Sequence, residues 1–171
     1  MKQERQAIAR GSFWTRLRAT LFVVPASIAP HKRLRTFFHR LRGVDIGRNV
    51  EIGYGCLLGG VNPSRIHLGD NVVITARTVI LDHDNSYYYT FDGDVVCGDV
   101  YIREGSFIGI GCVVYPGVEI GPRAVVGALS FVKSSIPPLC VAAGQPARVV
   151  KQMRVANSVR AVTAGPAAAQ V

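Results

Sequence analysis

Asp82-His83-Asp84-Asn85 is the one place in this 171-residue chain where a histidine stands between two carboxylates. An imidazole titrates near neutrality, so it can accept a proton and hold it transiently. Either neighbour, Asp82 or Asp84, could fix the ring's tautomer and stabilise the imidazolium. The other histidines offer less: His31 and His39 lie in a basic leader, and His67 sits beside Leu68, where a surface position is expected. Tyr87, Tyr88, Tyr89 and Phe91 follow the tetrad. Their rings suit the apolar C–H face of a sugar, or equally packing on a neighbouring chain. The four cysteines, at 56, 97, 112 and 140, show no C-x-x-C spacing. Cys56 and Cys112 fall on the small inward site of a hexad and read as core thiols, and nothing suggests a disulfide framework, which points to a reducing cytoplasm.

The elements that must position His83 are written in a six-residue period. Ile102, Ile108, Val114, Ile120, Val126 and Val132 are aliphatic anchors, and Ser106, Cys112, Val118, Ala124, Ser130 and Ile136 follow them four residues later. Upstream, Ile46, Ile52, Leu58, Leu68, Ile74 and Ile80 keep the same phase. All twelve hexads carry an aliphatic anchor and seven have Gly directly after it. Such self-similarity outranks single-residue propensity. It fits neither a helix face nor a long strand. It predicts short strands separated by corners, three to a coil and about four coils, with anchors stacked in a narrow interior. An aromatic content of only 8% suits that interior.

The repeat breaks where the histidine lies. In Ile80-Leu81-Asp82-His83-Asp84-Asn85 the inward small position holds Asp84, and Ser86 to Val100 carries no repeat. A repeat that fails at one corner, beside a protruding loop at 84–100, marks a candidate site. Asn62-Pro63-Ser64-Arg65 is a second, shorter interruption and reads as a plain turn.

Residues 1–43 hold ten Lys/Arg and one Glu, so the whole net charge of +9 belongs to them, and 44–171 sum to zero. A neutral solenoid without a base-reading motif does not predict a nucleic-acid partner. Periodicity predicts helices over 12–24, interrupted by Pro25 and Pro30, and over 32–42. Leu21–Val24 is too short to span a bilayer, and no small-residue cleavage site follows an apolar core. Two readings of this leader stand: a cap on the open end of the solenoid, or a basic amphipathic surface on the inner face of an anionic membrane. Pro137-Pro138 ends the solenoid, 137–154 forms a C-terminal segment, and the Ala-rich 155–171 is expected to be disordered.

The segments Val100-Tyr101-Ile102, Phe107-Ile108-Gly109, Tyr115 to Gly121, Val126 to Val132 and Ala143 to Arg148 resemble the hexapeptide-repeat acyltransferases, and among them the sugar and polysaccharide O-acetyltransferases. The resemblance implies an all-β solenoid, a left-handed parallel β-helix, capped by the leader. It implies acetyl-CoA as acyl donor, no metal, a homotrimer, and a saccharide acceptor whose hydroxyl attacks the thioester directly. By that resemblance His83, Asp82 and Asp84 are catalytic, and Asn85, Tyr87 and Tyr88 meet the acceptor. Phe107 takes the place of a Trp, Ile110, Ala128 and Lys133 line the coenzyme channel, and Arg148 and Lys151 match cations near its phosphates. Without the resemblance, Arg148 and Lys151 read as cations of a solvated C-terminal helix. There are departures. The family's base usually follows its anchor by five residues, which here is Asn85, whereas His83 follows Ile80 by three. The corner looks more like an Asp-His-x-His subgroup lacking its second His. Lys133-Ser134 replaces a Thr-Lys pair. Other readings are an amino-sugar N-acyltransferase, a serine O-acetyltransferase and a non-catalytic scaffold. A zinc carbonic anhydrase of the same fold needs three His ligands, and the coils offer only His67 and His83.

Overall fold

A computed structural model describes residues 12–153. The 155–171 tail, expected to be disordered, lies outside the described residues. Three helices come first: α1 (Phe13–Leu21), α2 (Val23–Ile28) and α3 (Lys32–Arg42). The stretch expected as one helix over 12–24 breaks at Phe22, and Pro25 falls in the first turn of α2, where its missing N–H breaks no intrahelical bond. Gly43, with φ +106°, ends α3 in the left-handed conformation.

The chain then winds in short strands, β1 (Asp45–Ile46), β2 (Glu51–Ile52), β3 (Leu57–Leu58), β4 (Ile66–Leu68), β5 (Val73–Ile74) and β6 (Val79–Ile80). An excursion follows: β7 (His83–Asp84), the short helix α4 (Ser86–Phe91) and β8 (Val96–Cys97). Winding resumes with β9 (Val100–Ile102), β10 (Phe107–Ile108), β11 (Val113–Val114), β12 (Glu119–Ile120), β13 (Val125–Val126) and β14 (Phe131–Val132), and the hairpin β15 (Cys140–Gly144) and β16 (Ala147–Gln152) closes the described chain.

The strands form three parallel sheets, one per side of the solenoid: β1-β4-β9-β12, β2-β5-β10-β13-β15 with β16 added antiparallel, and β3-β6-β11-β14. The anchors pair in register. Ile46, Leu68, Ile102 and Ile120 stack on one side, Ile52, Ile74, Ile108, Val126 and Ala142 on the second, and Leu58, Ile80, Val114 and Val132 on the third. All but Ile46 are buried, as are the small residues Cys56, Val72, Thr78, Ser106, Cys112, Val118, Ala124 and Ser130 at the inward corners. Corners stack at close range: a Cβ on Gly109 would meet the backbone N of Ala128 at 2.5 Å, so this position admits no side chain.

Two expectations change. Arg148 and Lys151 lie on a strand, not a helix. Gly144, with φ +106°, turns the chain, and the β-branched Val149 then pairs back on Ala142 of β15, with Val150 in a bulge. The 84–100 segment is also no plain loop, since β7 and β8 pair antiparallel, His83 opposite Cys97 and Asp84 opposite Val96, and α4 lies between them.

The helices lie across the free edge of β1–β3, where, among the described residues, no earlier strand satisfies the carbonyls. Arg35 Nε donates to Ile52 O (2.8 Å), Thr36 Oγ1 to Val50 O (3.3 Å) and Ser27 Oγ to Cys56 O (3.2 Å). Arg42 is fully buried and donates to Ala19 O, Leu58 O and Gly59 O at 3.0, 3.1 and 2.6 Å.

Candidate active site

The site is built where β6 leaves the third sheet. Asp82 is 1% exposed, yet three backbone N–H groups of the preceding winding converge on its carboxylate. Gly60 N donates to Oδ1 at 2.9 Å, Val61 N to Oδ2 at 3.2 Å, and Asn62 N also to Oδ2. His83 Nδ1 lies 2.9 Å from Oδ1. Burial alone would raise the Asp82 pKa, but the hydrogen bonds from His83, Asn62 and Gly60 and the charge of His83 hold it down at about 2. A carboxylate ionised at neutral pH can only accept, so Nδ1 of His83 must carry the hydrogen. The neutral ring then has its lone pair on Nε2. This is the tautomer of an oriented general base.

Asp84 serves another partner. Its Oδ2 accepts from the Tyr115 hydroxyl at 2.6 Å and its Oδ1 from Ser86 N at 2.8 Å. The Tyr115 bond lowers the Asp84 pKa, and the same bond pushes the phenol up to about 12. Of the two carboxylates the sequence left open, Asp82 is therefore the one that fixes the imidazole, while Asp84 ties β7 to the corner after β11. Asn85 precedes the first turn of α4, Tyr87 on that helix is about half exposed, and Tyr88 is partly buried. Cys97 faces His83 across the β7–β8 ladder, and burial pushes its thiol up, which disfavours the thiolate a covalent route would need.

The donor-side candidates divide between two edges of the third sheet. Ile110 and Ala128 stand on stacked corners at the edge where the chain enters it, with Leu129 N donating to Ile110 O at 2.8 Å. Lys133 instead follows β14 on the exit edge, with its Nζ 5.8 Å from the Tyr115 ring, and so joins the His83 corner. Phe107 is exposed on β10, and Arg148 and Lys151 are exposed on β16, both strands of the second sheet.

The other histidines do different work. His67 stacks on Tyr101 at 4.6 Å and bonds Asp45, and His31 caps α3 by accepting from Arg33 N. His39 is buried beside Arg42, and burial, Arg42 and Arg35 depress its pKa to about 3. Among the described residues no group of three or more His, Cys, Asp and Glu could hold a metal ion.

Three parts of the site carried no readable signal. The Asn62-Pro63-Ser64-Arg65 interruption, taken as a plain turn, belongs to the turn that supplies Asp82 with N–H donors. Gly59 makes that turn possible: its φ is +62°, and an added Cβ would meet Pro63 Cα at 2.7 Å. Tyr115 stood only inside a family motif. Arg42, taken as a leader arginine, grips the Gly59 carbonyl, the other end of the same peptide group whose Gly60 N–H holds Asp82.

Residues 99–134 match the model of the bacterial transferase hexapeptide, six repeats. The chain carries the hexapeptide repeat of that family. It is 31% identical over 119 residues to the galactoside O-acetyltransferase of Escherichia coli K12, an alignment covering 68% of this chain and 58% of that relative. The chain thus spans well under two thirds of that relative's length. Among solved structures, a maltose O-acetyltransferase from Clostridium difficile 630 superposes with a TM-score of 0.61 at 23% identity, covering 82% of this chain and 85% of that one. A hexapeptide-repeat acetyltransferase from Vibrio cholerae O1 biovar eltor, solved with acetyl coenzyme A, gives 0.62 at 19%, covering 90% and 99%. Both establish likeness of fold.

Proposed function

We propose that this hexapeptide-repeat protein is an acetyl-CoA-dependent O-acetyltransferase acting on a saccharide hydroxyl. The reading rests on one observation: at the corner after β6, where the repeat gives way to the 84–100 excursion, a buried carboxylate held by backbone N–H groups orients His83. The acceptor oxygen attacks the thioester carbonyl while Nε2 of His83 takes its proton. The carbon–sulfur bond then breaks, and the imidazolium returns the proton to the leaving thiolate. Asp82 stabilises the imidazolium throughout, and Asp84 with Tyr115 holds the strand that carries it. No residue is acylated. A hydroxyl-bearing sugar as acceptor accords with the name of the Escherichia coli relative and with the aromatic helix beside the site, where Asn85, Tyr87 and Tyr88 would meet it.

On the donor side, Phe107, Ile110 and Ala128 offer apolar surface to the coenzyme, Lys133 lines its channel, and Arg148 and Lys151 offer cations to its phosphates. In this reading the solenoid is left-handed, residues 1–43 cap it, and three copies assemble so that a neighbour covers the exposed Phe107 and Ile110.

The test is thiol release from acetyl-CoA against a panel of sugars, amino sugars and serine. Turnover with a sugar hydroxyl is expected, and His83→Ala should lower it roughly 10²–10⁴-fold without changing coenzyme binding or melting temperature. Turnover confined to amino sugars or serine would overturn the acceptor. Near-normal turnover in His83→Ala would overturn the base.

A further inference from the structure

The three N-terminal helices carry their apolar sides outward. On α3 the buried stripe is polar: Arg35, Thr36, His39 and Arg42 face the solenoid, while Leu34 and Phe37 are exposed. On α1 the one buried residue is Ala19. At about 100° per residue the opposite side carries Phe13, Trp14, Leu17 and Leu21, with Arg16 and Arg18 flanking it. Val24 and Ile28, four apart, extend the stripe along α2. Phe13 is 71% exposed, Trp14 69% and Leu21 65%. Single exposed apolar side chains need no explanation, but a contiguous stripe over packed helices marks an interaction surface.

The charges decide what covers it. Residues 12–43 contain seven Lys/Arg and no Asp or Glu. Arg35 and Arg42 are spent on the carbonyls of the first winding, and Lys32 pairs with Glu51. Arg40 also bonds the carbonyls of Ile46 and Gly47, and Arg16, Arg18 and Arg33 remain exposed around the stripe. A second copy laid on this surface would bring arginines together with no carboxylate from either set of helices between them. Anionic headgroups supply the missing charge, and the acyl boundary beneath them takes the apolar side chains.

We propose that α1 and α2, with the outer side of α3, dock the protein on an anionic lipid bilayer, lying in its surface. Among the described residues no helix is long and apolar enough to cross a membrane, which fits a surface position.

Trp14 is the only tryptophan of the chain, so its emission reports this stripe and nothing else. With vesicles containing phosphatidylglycerol, at low salt, the emission should shift to the blue and the protein should co-sediment. With phosphatidylcholine vesicles neither should happen. Leu17→Gln/Leu21→Gln, which changes exposed positions only, should abolish both signals, and Arg16→Glu/Arg18→Glu should do so independently. An unmoved Trp14 emission with the phosphatidylglycerol vesicles would overturn the proposal. So would equal binding to both vesicles, which would remove the anionic requirement. A blue-shifted emission without lipid, in an assembly that dissociates on Leu17→Gln/Leu21→Gln, would assign the stripe to a second copy instead.

Discussion

Asp82 and Asp84 flank one imidazole, yet their surroundings give them different work. Asp82 is buried, accepts three backbone N–H groups and faces Nδ1 of His83, whereas Asp84 is bonded to Tyr115 and Ser86. Asp82→Asn should therefore lower turnover by about 10²-fold or more, because an amide can present an N–H to Nδ1, favour the wrong tautomer and give the imidazolium no counter-charge. Asp84→Asn keeps an oxygen for Ser86 N or the Tyr115 hydroxyl and should cost about tenfold at most. Single-turnover rates for the two variants, with melting temperatures alongside, check the contrast, and equal losses would refute it. The tetrad was legible because a histidine between two carboxylates, at the place where the period fails, is conspicuous. Which carboxylate bonds the ring was not legible, because the two are symmetric along the chain. Its backbone donors were hidden too: they come from Gly60–Asn62, about twenty residues earlier, and an N–H group has no residue signature.

At the scale of elements, the strands were readable and the inward side of α3 was not. A six-residue spacing of anchors leaves one way to stack them, so sheets and register follow from the sequence. An amphipathic helix has two sides, and apolar-inward is the usual assignment. Here the first winding offers carbonyls, and Arg35, Thr36 and Arg42 turn inward to meet them. His39 is carried in with them and must stay neutral, its pKa depressed to about 3 by burial, Arg42 and Arg35. Between that value and the unfolded value near 6.5 the unfolded chain binds more protons. Stability should thus be full above about pH 6.5 and fall as pH drops toward 3, by up to about 1.4 kcal/mol per pH unit. Denaturant unfolding at pH 7 and pH 5 should show the loss. His39→Asn, which keeps an acceptor for Arg42 and does not titrate, should flatten it.

At the scale of the whole molecule, the proposed donor residues stand on two edges of the third sheet and on the second, and several are exposed in one chain. A stable homotrimer is expected by sedimentation equilibrium, with Ile110→Arg weakening it and lowering turnover together. A monomer with full turnover would contradict this arrangement. The excursion at 84–100 bears on the molecule in another way. Its two ends are pinned by the antiparallel pairing of His83 with Cys97 and Asp84 with Val96, and the windings on either side pair directly, Val79 with Val113 and Leu68 with Ile102. No strand of the three stacked sheets lies between Asn85 and Val95. Replacing 86–94 with a short Gly/Ser linker should therefore leave the melting temperature within a few degrees of the parent while changing which acceptors are used, as a calorimetric scan beside the acceptor panel would show. Such a segment is a cassette: lineages could trade it for another and acquire a new acceptor without re-evolving the machinery that handles the acyl donor.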